Sequence, residues 1–288
     1  MSAELISGKA VAEQMQNEFV SEVSELKEKH GVQPCLAVIL VGEDPASQVY
    51  VKNKGIACQK IGVKSLEFRK PADFPEADLI QLVEQLNHDA AVHGILVQLP
   101  LPKHINETKV LYAVRPDKDV DGFHPVNVGK LMIGEAEFLP CTPAGIQELL
   151  IRSGTETKGA EVVVVGRSNI VGKPIAMILC QKQKGADATV TICHTRTKDM
   201  KSHTKRADIL IVAAGKPKAV TGDMIKPGAT VIDVGVNRLE SGLCGDVDFE
   251  TAKEVAGKIT PVPGGVGPMT ITMLMKNTIK AARLTLKK

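Results

Sequence analysis

Val162-Val163-Val164-Val165-Gly166-Arg167-Ser168-Asn169-Ile170-Val171-Gly172-Lys173-Pro174 runs from an unbroken β-branched segment into a loop bounded by two glycines. Four consecutive valines fit a strand buried on both faces, as in a parallel sheet covered by helices. The loop that follows opens a new helix, whose first amides are unpaired and carry the positive end of its dipole. Glycine at both ends lets backbone approach a ligand closely, so the loop suits a phosphate. It is not G-x-G-x-x-G, and the spacing alone is a weak motif. Its context is stronger, because strand, glycine loop and helix occur in the order a dinucleotide fold requires.

Working outward, further strands are expected at Glu161–Val165, Thr189–Cys193, 209–213, 230–234 and 258–262, separated by helices or polar connections. The pattern predicts a doubly wound sheet over residues 141–268. Thr142-Pro143 reads as an N-cap with proline at the first helical position, and Gly154 closes that helix. In the first half strands are expected at 35–41, 63–68 and 93–98, with helices at 8–29, 45–61 and 75–89. The second of these helices is punctuated by Asp44, Pro45 and Gly62. Class α/β with two domains follows: residues 1–140 form the first, and a last helix over 269–288 is expected to pack back on it.

The 288 residues exceed the ~100 to 200 usual for one domain, enough for a core in each of two. Hydrophobic content of 43% and charge of 24% are ordinary for a soluble protein. A net charge of +3 with scattered basic residues points to neither nucleic acid nor a membrane surface as partner, though it suits an anionic small molecule. Residues 1–10 lack a signal peptide's apolar core, so a cytoplasmic location is expected. Six cysteines without C-x-x-C spacing, several of them inside apolar runs, read as buried free thiols, and seven scattered histidines give no expected metal site.

The nucleotide's identity is argued at the end of the second strand of the sheet. An NAD site expects a carboxylate there for the ribose hydroxyl, roughly 20 residues after the glycine loop. Here the strand runs into His194-Thr195-Arg196-Thr197, where hydroxyls and a cation stand in its place. With Arg167 these favour an adenosine 2′-phosphate, hence NADP over NAD. The alternative is that both arginines are solvated surface charges.

Tyr50 and Lys54 lie four apart on one helix, which stacks them on one face. As surface decoration such a pair is commonplace, and as a short-chain dehydrogenase pair it stands in the wrong order, far before the nucleotide loop. His93-Gly94-Ile95-Leu96-Val97-Gln98 is a buried-type strand that breaks on Pro100 and Pro102. Gln98 is either a core amide satisfied by backbone or a donor and acceptor aimed into a cleft. Asp117, Asp119 and Asp121 lack the later glutamate of a calcium loop, and one carboxylate accepting two donors from a heterocycle fits better. Pro261-Val262-Pro263-Gly264-Gly265-Val266-Gly267-Pro268 packs three prolines and three glycines into eight residues, a stiff and bare wall.

Tyr50-x-x-x-Lys54, Gly94-Ile95-Leu96-Val97-Gln98-Leu99-Pro100-Leu101-Pro102, Lys118-Asp119-Val120-Asp121-Gly122, the glycine loop and Pro261 through Thr270 together resemble the bifunctional methylenetetrahydrofolate dehydrogenase/methenyltetrahydrofolate cyclohydrolase family. The resemblance covers essentially the whole chain. It implies a homodimer, a cleft between the two domains, and 5,10-methylenetetrahydrofolate as substrate with NADP as cofactor. It implies Lys54, Tyr50, Gln98 and Asp121 as catalytic residues, with Leu99, Pro100, Pro263, Gly264 and Gly265 also against the folate. Gly166, Arg167, Ser168, Val171, Gly172, His194, Thr195, Arg196, Val236 and Thr270 are the implied cofactor contacts. At His194-Thr195 the family more often has His-Ser, and a hydroxyl is retained. A monofunctional dehydrogenase and a noncatalytic NADP-binding regulator are the competing functions.

Overall fold

The computed structural model describes residues 2–240 and 242–286. In chain order the elements are β1 (Glu4–Leu5), α1 (Gly8–His30), β2 (Cys35–Val41), α2 (Pro45–Ile61), β3 (Lys64–Lys70), α3 (Glu76–His88), β4 (Gly94–Val97), α4 (Glu107–Ala113), α5 (Pro125–Met132) and α6 (Cys141–Arg152). They continue as β5 (Glu161–Val165), α7 (Gly172–Leu179), β6 (Thr189–Cys193), α8 (Met200–Thr204), β7 (Ile209–Val212), β8 (Thr230–Asp233), β9 (Asn237–Leu239), β10 (Gly242–Cys244), α9 (Phe249–Ala252), β11 (Lys258–Ile259) and α10 (Val266–Thr285). The chain divides into two compact units, residues 14–141 with 271–288 and residues 1–13 with 142–270.

The unit of residues 14–141 and 271–288 is built on a parallel sheet in the order β3-β2-β4. Every residue of the central strand β2 is buried, which its unbroken apolar run dictates, whereas the edge strand β3 has no buried residue. Beside β4, Ile95 bridges in parallel to Asp119 and its amide donates to the Lys118 carbonyl at 2.9 Å. The Lys118–Gly122 segment is thereby laid along β4. Helix α2 is punctuated as its sequence predicts: Asp44 accepts from the Ser47 amide at 2.8 Å, Pro45 opens the helix, and Gly62 closes it in the left-handed region at φ 81°.

The unit of residues 1–13 and 142–270 carries a six-stranded parallel sheet in the order β1-β11-β8-β7-β5-β6. β5 has β6 on one side and β7 on the other, so the winding reverses at its carboxyl end. In such sheets that reversal is where ligands bind.

Several boundaries depart from the sequence expectations. Residues 1–13 group with the six-stranded sheet rather than with residues 14–141, because β1 pairs in parallel with β11. Helix α6 starts at Cys141, so Thr142 lies in its first turn and its hydroxyl meets that of Thr270 at 2.9 Å instead of capping. Helix α10 begins at Val266, ahead of Pro268, since proline is tolerated in a first turn whose amides have no intrahelical acceptor. Residues 287 and 288 of the expected 269–288 helix lie outside the described residues. Leu99–Pro100 and Val262–Pro263 are cis peptides.

Candidate functional site

In the unit of residues 14–141 and 271–288, the buried stripe of α2 is Ser47, Val51, Lys54, Cys58 and Ile61, with Ala57 beside it. This is the 3-4 spacing of a core-facing helix, and a lysine occupies one of its positions. Lys54 is only 9% exposed, while Tyr50, one turn earlier, is 42% exposed. Lys54 Nζ donates to Gln98 Oε1 at 2.8 Å, and Gln98 Nε2 donates to the Leu99 carbonyl at 2.6 Å. The amide is thus used at both ends, with its oxygen presented to the lysine. Gln98 amide itself donates to the Ile39 carbonyl at 2.8 Å, continuing the sheet past the end of β4.

The three neighbouring carboxylates have separate tasks. Asp117 pairs with Arg115 at the surface, at 2.7 Å. Asp119 is buried and organises its own loop, accepting from the amides of Gly122, Phe123 and His124 and from Asn127 Nδ2. Asp121 is partly exposed, and the crowding around its carboxyl pushes its pKa up to about 6 against the pull of Lys54, with Asp119 adding to the rise. Burial likewise lowers Lys54, against the attraction of Asp121. Both partners are pushed toward their neutral forms. Cys141, buried beside them, is held firmly as the thiol by burial and by Asp121.

In the other unit, the loop after β5 is bounded as its glycines predict. Gly166 has φ 138°, and a Cβ there would overlap the Ala213 carbonyl oxygen at the end of β7. A Cβ on Gly172 would overlap the Gly166 carbonyl. Ser168 Oγ accepts from the amides of Val171 and Gly172 at 3.1 and 3.3 Å, so this hydroxyl shapes the turn into α7. At the end of β6, His194 Nδ1 accepts from the Arg196 amide at 3.1 Å, and Thr197 Oγ1 accepts from the His194 amide at 2.9 Å. Arg167, Thr195 and Arg196 are exposed, and among the described residues neither guanidinium has an ion-pair partner. Two exposed arginines without an ion-pair partner, just past the carboxyl ends of β5 and β6, fit a phosphorylated dinucleotide. Pro263, Gly264 and Gly265 lie in this unit, where Gly264 has φ 100° and accepts from the Lys9 amide at 3.0 Å. Val236 is 53% exposed, and Thr270 meets Thr142.

Two buried carboxylates here were not legible in the sequence. Asp233 accepts from the amides of Gly235, Asp246 and Val247, and Asp246 accepts from the Gly215 amide at 2.7 Å and from Asn237 Nδ2 at 2.9 Å. Together they tie down the segments that leave β7 and β8. Burial pushes Asp233 up to about 6. Their partners are backbone amides from distant segments, which no local motif announces.

A two-unit α/β chain with a glycine loop at the sheet's reversal and a buried lysine bonded to an amide beside a carboxylate defines a dehydrogenase-like class. Residues 6–121 match the tetrahydrofolate dehydrogenase/cyclohydrolase catalytic domain, and residues 140–286 match the NAD(P)-binding domain of the same family. The chain belongs to the tetrahydrofolate dehydrogenase/cyclohydrolase family. It is 61% identical over 290 residues to the Bifunctional protein FolD of Syntrophobacter fumaroxidans, covering 99% of this chain and 98% of that one. The crystal structure of the bifunctional FolD methylenetetrahydrofolate dehydrogenase/cyclohydrolase of Campylobacter jejuni is similar, with TM-score 0.95 and 49% identity over 99% of this chain and 100% of that one. The Trypanosoma brucei enzyme, solved with NADP cofactor and inhibitor, has TM-score 0.94 and 41% identity over 100% of both chains.

Proposed function

We propose that this protein oxidises 5,10-methylenetetrahydrofolate to 5,10-methenyltetrahydrofolate with NADP and hydrolyses the product to 10-formyltetrahydrofolate. The observation that carries the proposal is Lys54 on the buried stripe of α2, depressed in pKa by burial and hydrogen-bonded to Gln98 Oε1 at 2.8 Å. A lysine at its ordinary pKa of ~10.4 is a poor base at neutral pH, and burial is what makes the neutral amine accessible. A neutral amine that gives one N–H to Gln98 keeps its lone pair free to take a proton from the attacking water. Substrate cation next to it favours that neutral form further.

The oxidation needs alignment more than a base, because the two nitrogens flanking the one-carbon bridge stabilise the cation that hydride departure leaves. NADP, when bound, supplies the hydride acceptor. Gly166 and Gly172 permit the tight turn into α7, whose first amides would hold its diphosphate, and the exposed Arg167, Thr195 and Arg196 would take the 2′-phosphate. Tyr50 presents an exposed ring for stacking on the folate, and Asp121 accepts from the pterin's amino and ring N–H groups. Pro263, Gly264 and Gly265 are assigned to the folate on the resemblance of their motif.

A coupled spectroscopic assay with purified protein tests the proposal, run with NADP and then NAD while following reduced cofactor and methenyl intermediate separately. Reduced NADP with little accumulated methenyl species is expected. Accumulating intermediate would leave only the dehydrogenase, and no turnover with either cofactor would overturn the proposal. The same reading places the protein in the cytoplasm as a homodimer. No helix among the described residues is long and apolar enough to cross a membrane. Light scattering should return twice the 30.8 kDa chain mass.

A further inference from the structure

We propose that Asn277, on the C-terminal helix, is a positioning residue for Asp121, holding the Val120 carbonyl and with it the peptide that carries the carboxylate. Asn277 is 6% exposed, and its Nδ2 donates to the Val120 carbonyl at 2.8 Å and to the Leu139 carbonyl at 3.0 Å. Both amide hydrogens are therefore spent on two segments far apart in sequence. The Cys141 thiol donates to the same Val120 oxygen at 3.3 Å, and Asn277 Nδ2 lies 3.7 Å from its sulfur.

These segments form the two sides of the Asp121 turn. A Cβ on Gly122 would come within 2.7 Å of Pro140 nitrogen, so the 139–140 peptide lies directly against Asp121-Gly122. Asparagine is a poor helix former, and a buried amide is costly unless bonded. At position 277 the cost is offset by bonds that leave the helix altogether, which marks the residue as a clamp rather than as part of the helix's own stability. The ionisable groups facing the carboxyl are Lys54 from α2, Asp119 from its own loop and Cys141 from α6. None of them belongs to α10, so Asn277 reaches Asp121 through the Val120 peptide and through Cys141, whose sulfur lies 3.7 Å from its Nδ2.

The proposal rests on the reading that Asp121 holds the folate, and its test is built to fail separately. The test pair is Asn277→Ala and Thr278→Val. Thr278 is wholly buried one residue further on, but its hydroxyl donates within the helix to the Leu274 carbonyl at 2.8 Å. In the alanine variant kcat/KM for 5,10-methylenetetrahydrofolate should fall about tenfold to a hundredfold with KM for NADP unchanged, the scale of a sub-ångström to ångström misplacement. In the ligand-free protein the Asp121 carboxyl titration, followed by carbon-13 chemical shift, should move toward the ordinary carboxylate value as the peptide loosens and water reaches the group. Thr278→Val should lower the melting temperature yet move neither readout. Should Asn277→Ala not fold, Asn277→Ser is read in its place. A titration unmoved in the Asn277 variant, or moved equally in Thr278→Val, overturns the proposal. That measurement needs no turnover, so a wild-type protein inactive toward the folate would overturn the functional reading and leave this one to be decided by the titration.

Discussion

Lys54 stands where the 47-51-54-58-61 stripe of α2 asks for an apolar side chain, and the protein gives up stability to keep an amine there. Burying an ammonium costs several kcal/mol unless it is paired, and Gln98 with Asp121 compensates only in part, as the lowered pKa records. Lys54→Met keeps the length and removes the polar end. It should raise stability by about 1 kcal/mol in thermal unfolding, the sign expected when a buried charge gives way to a packed apolar group. The same variant should suppress methenyl hydrolysis at least about a hundredfold while hydride transfer changes far less, because a lost base removes the general-base contribution alone. Equal loss of both steps in the coupled assay would remove Lys54 from the hydrolytic role. The acid side of the pH profile separates the two titrating groups. Asp121, at about 6, loses an acceptor as it is protonated, so kcat/KM for both steps should fall as pH drops through that value. Lys54, with a lowered pKa, loses its lone pair on protonation, which affects hydrolysis only. Asp121→Asn should therefore abolish the limb near 6 in dehydrogenation and weaken the folate about tenfold or more, the loss expected for a charge-assisted bond, with NADP affinity near normal.

At the scale of elements, the unit β5-loop-α7 was legible because each of its parts obeys a local rule: a buried run of valines, a glycine where φ is 138°, and a helix start. Gly166→Ala should cost about 2 to 4 kcal/mol, from overpacking against the Ala213 carbonyl together with a backbone conformation that alanine resists. Cofactor titration should show weakened NADP binding, and thermal unfolding the stability loss; an unchanged melting temperature would mean that the loop relaxes and the glycine is not required. The punctuation of α2 was legible for the same reason, since Asp44, Pro45 and Gly62 act on their immediate neighbours. What the sequence did not disclose are elements whose purpose is set by distant partners. Asp233 and Asp246 belong to no local motif, yet they bond to amides at Gly215, Gly235 and Val247. Asn277 has no local signal either, because the carbonyls it bonds belong to Val120 and Leu139. Lys54 was half legible: its four-residue offset from Tyr50 sets the two on one face, but what separates it from surface decoration is its place on the apolar stripe. Asp121 was singled out by its motif, whereas the separate tasks of Asp117 and Asp119 had no sequence signal, because they depend on which carboxylate faces the backbone of its own turn.

For the whole molecule, the decisive feature is that neither unit is one continuous stretch of chain. Residues 1–13 complete a sheet formed otherwise by residues 142–270, and residues 271–288 return to the unit of residues 14–141. The strand β1 has two residues, too short for any alternation to show, which is why its destination was not legible. Its bonds are nonetheless regular: Ala3 amide donates to Lys253 carbonyl at 2.7 Å, Glu4 to Gly257 at 2.9 Å and Ile6 to Ile259 at 2.9 Å. Together with the parallel pairing of Glu4 and Leu5 to Lys258 and Ile259, these cover β11 and the segment that leads into it, an edge that would otherwise template pairing with another chain. Ile6, buried at 3% exposure, adds apolar area worth about 1.5 to 3 kcal/mol on full burial. Deleting residues 2–6 should therefore weaken the cofactor unit although the deletion lies more than a hundred residues from the glycine loop. Amide exchange should speed up through β8 and β11, where the sheet loses its cover, while β2, buried along its whole length in the other sheet, keeps its protection. NADP should restore part of the lost protection, since binding to the folded form alone stabilises by about 2.7 kcal/mol at a hundredfold excess over Kd. Faster exchange spread evenly over both sheets would show instead that the N-terminal strand supports the chain as a whole, and unchanged exchange in β11 would show that its edge needs no partner.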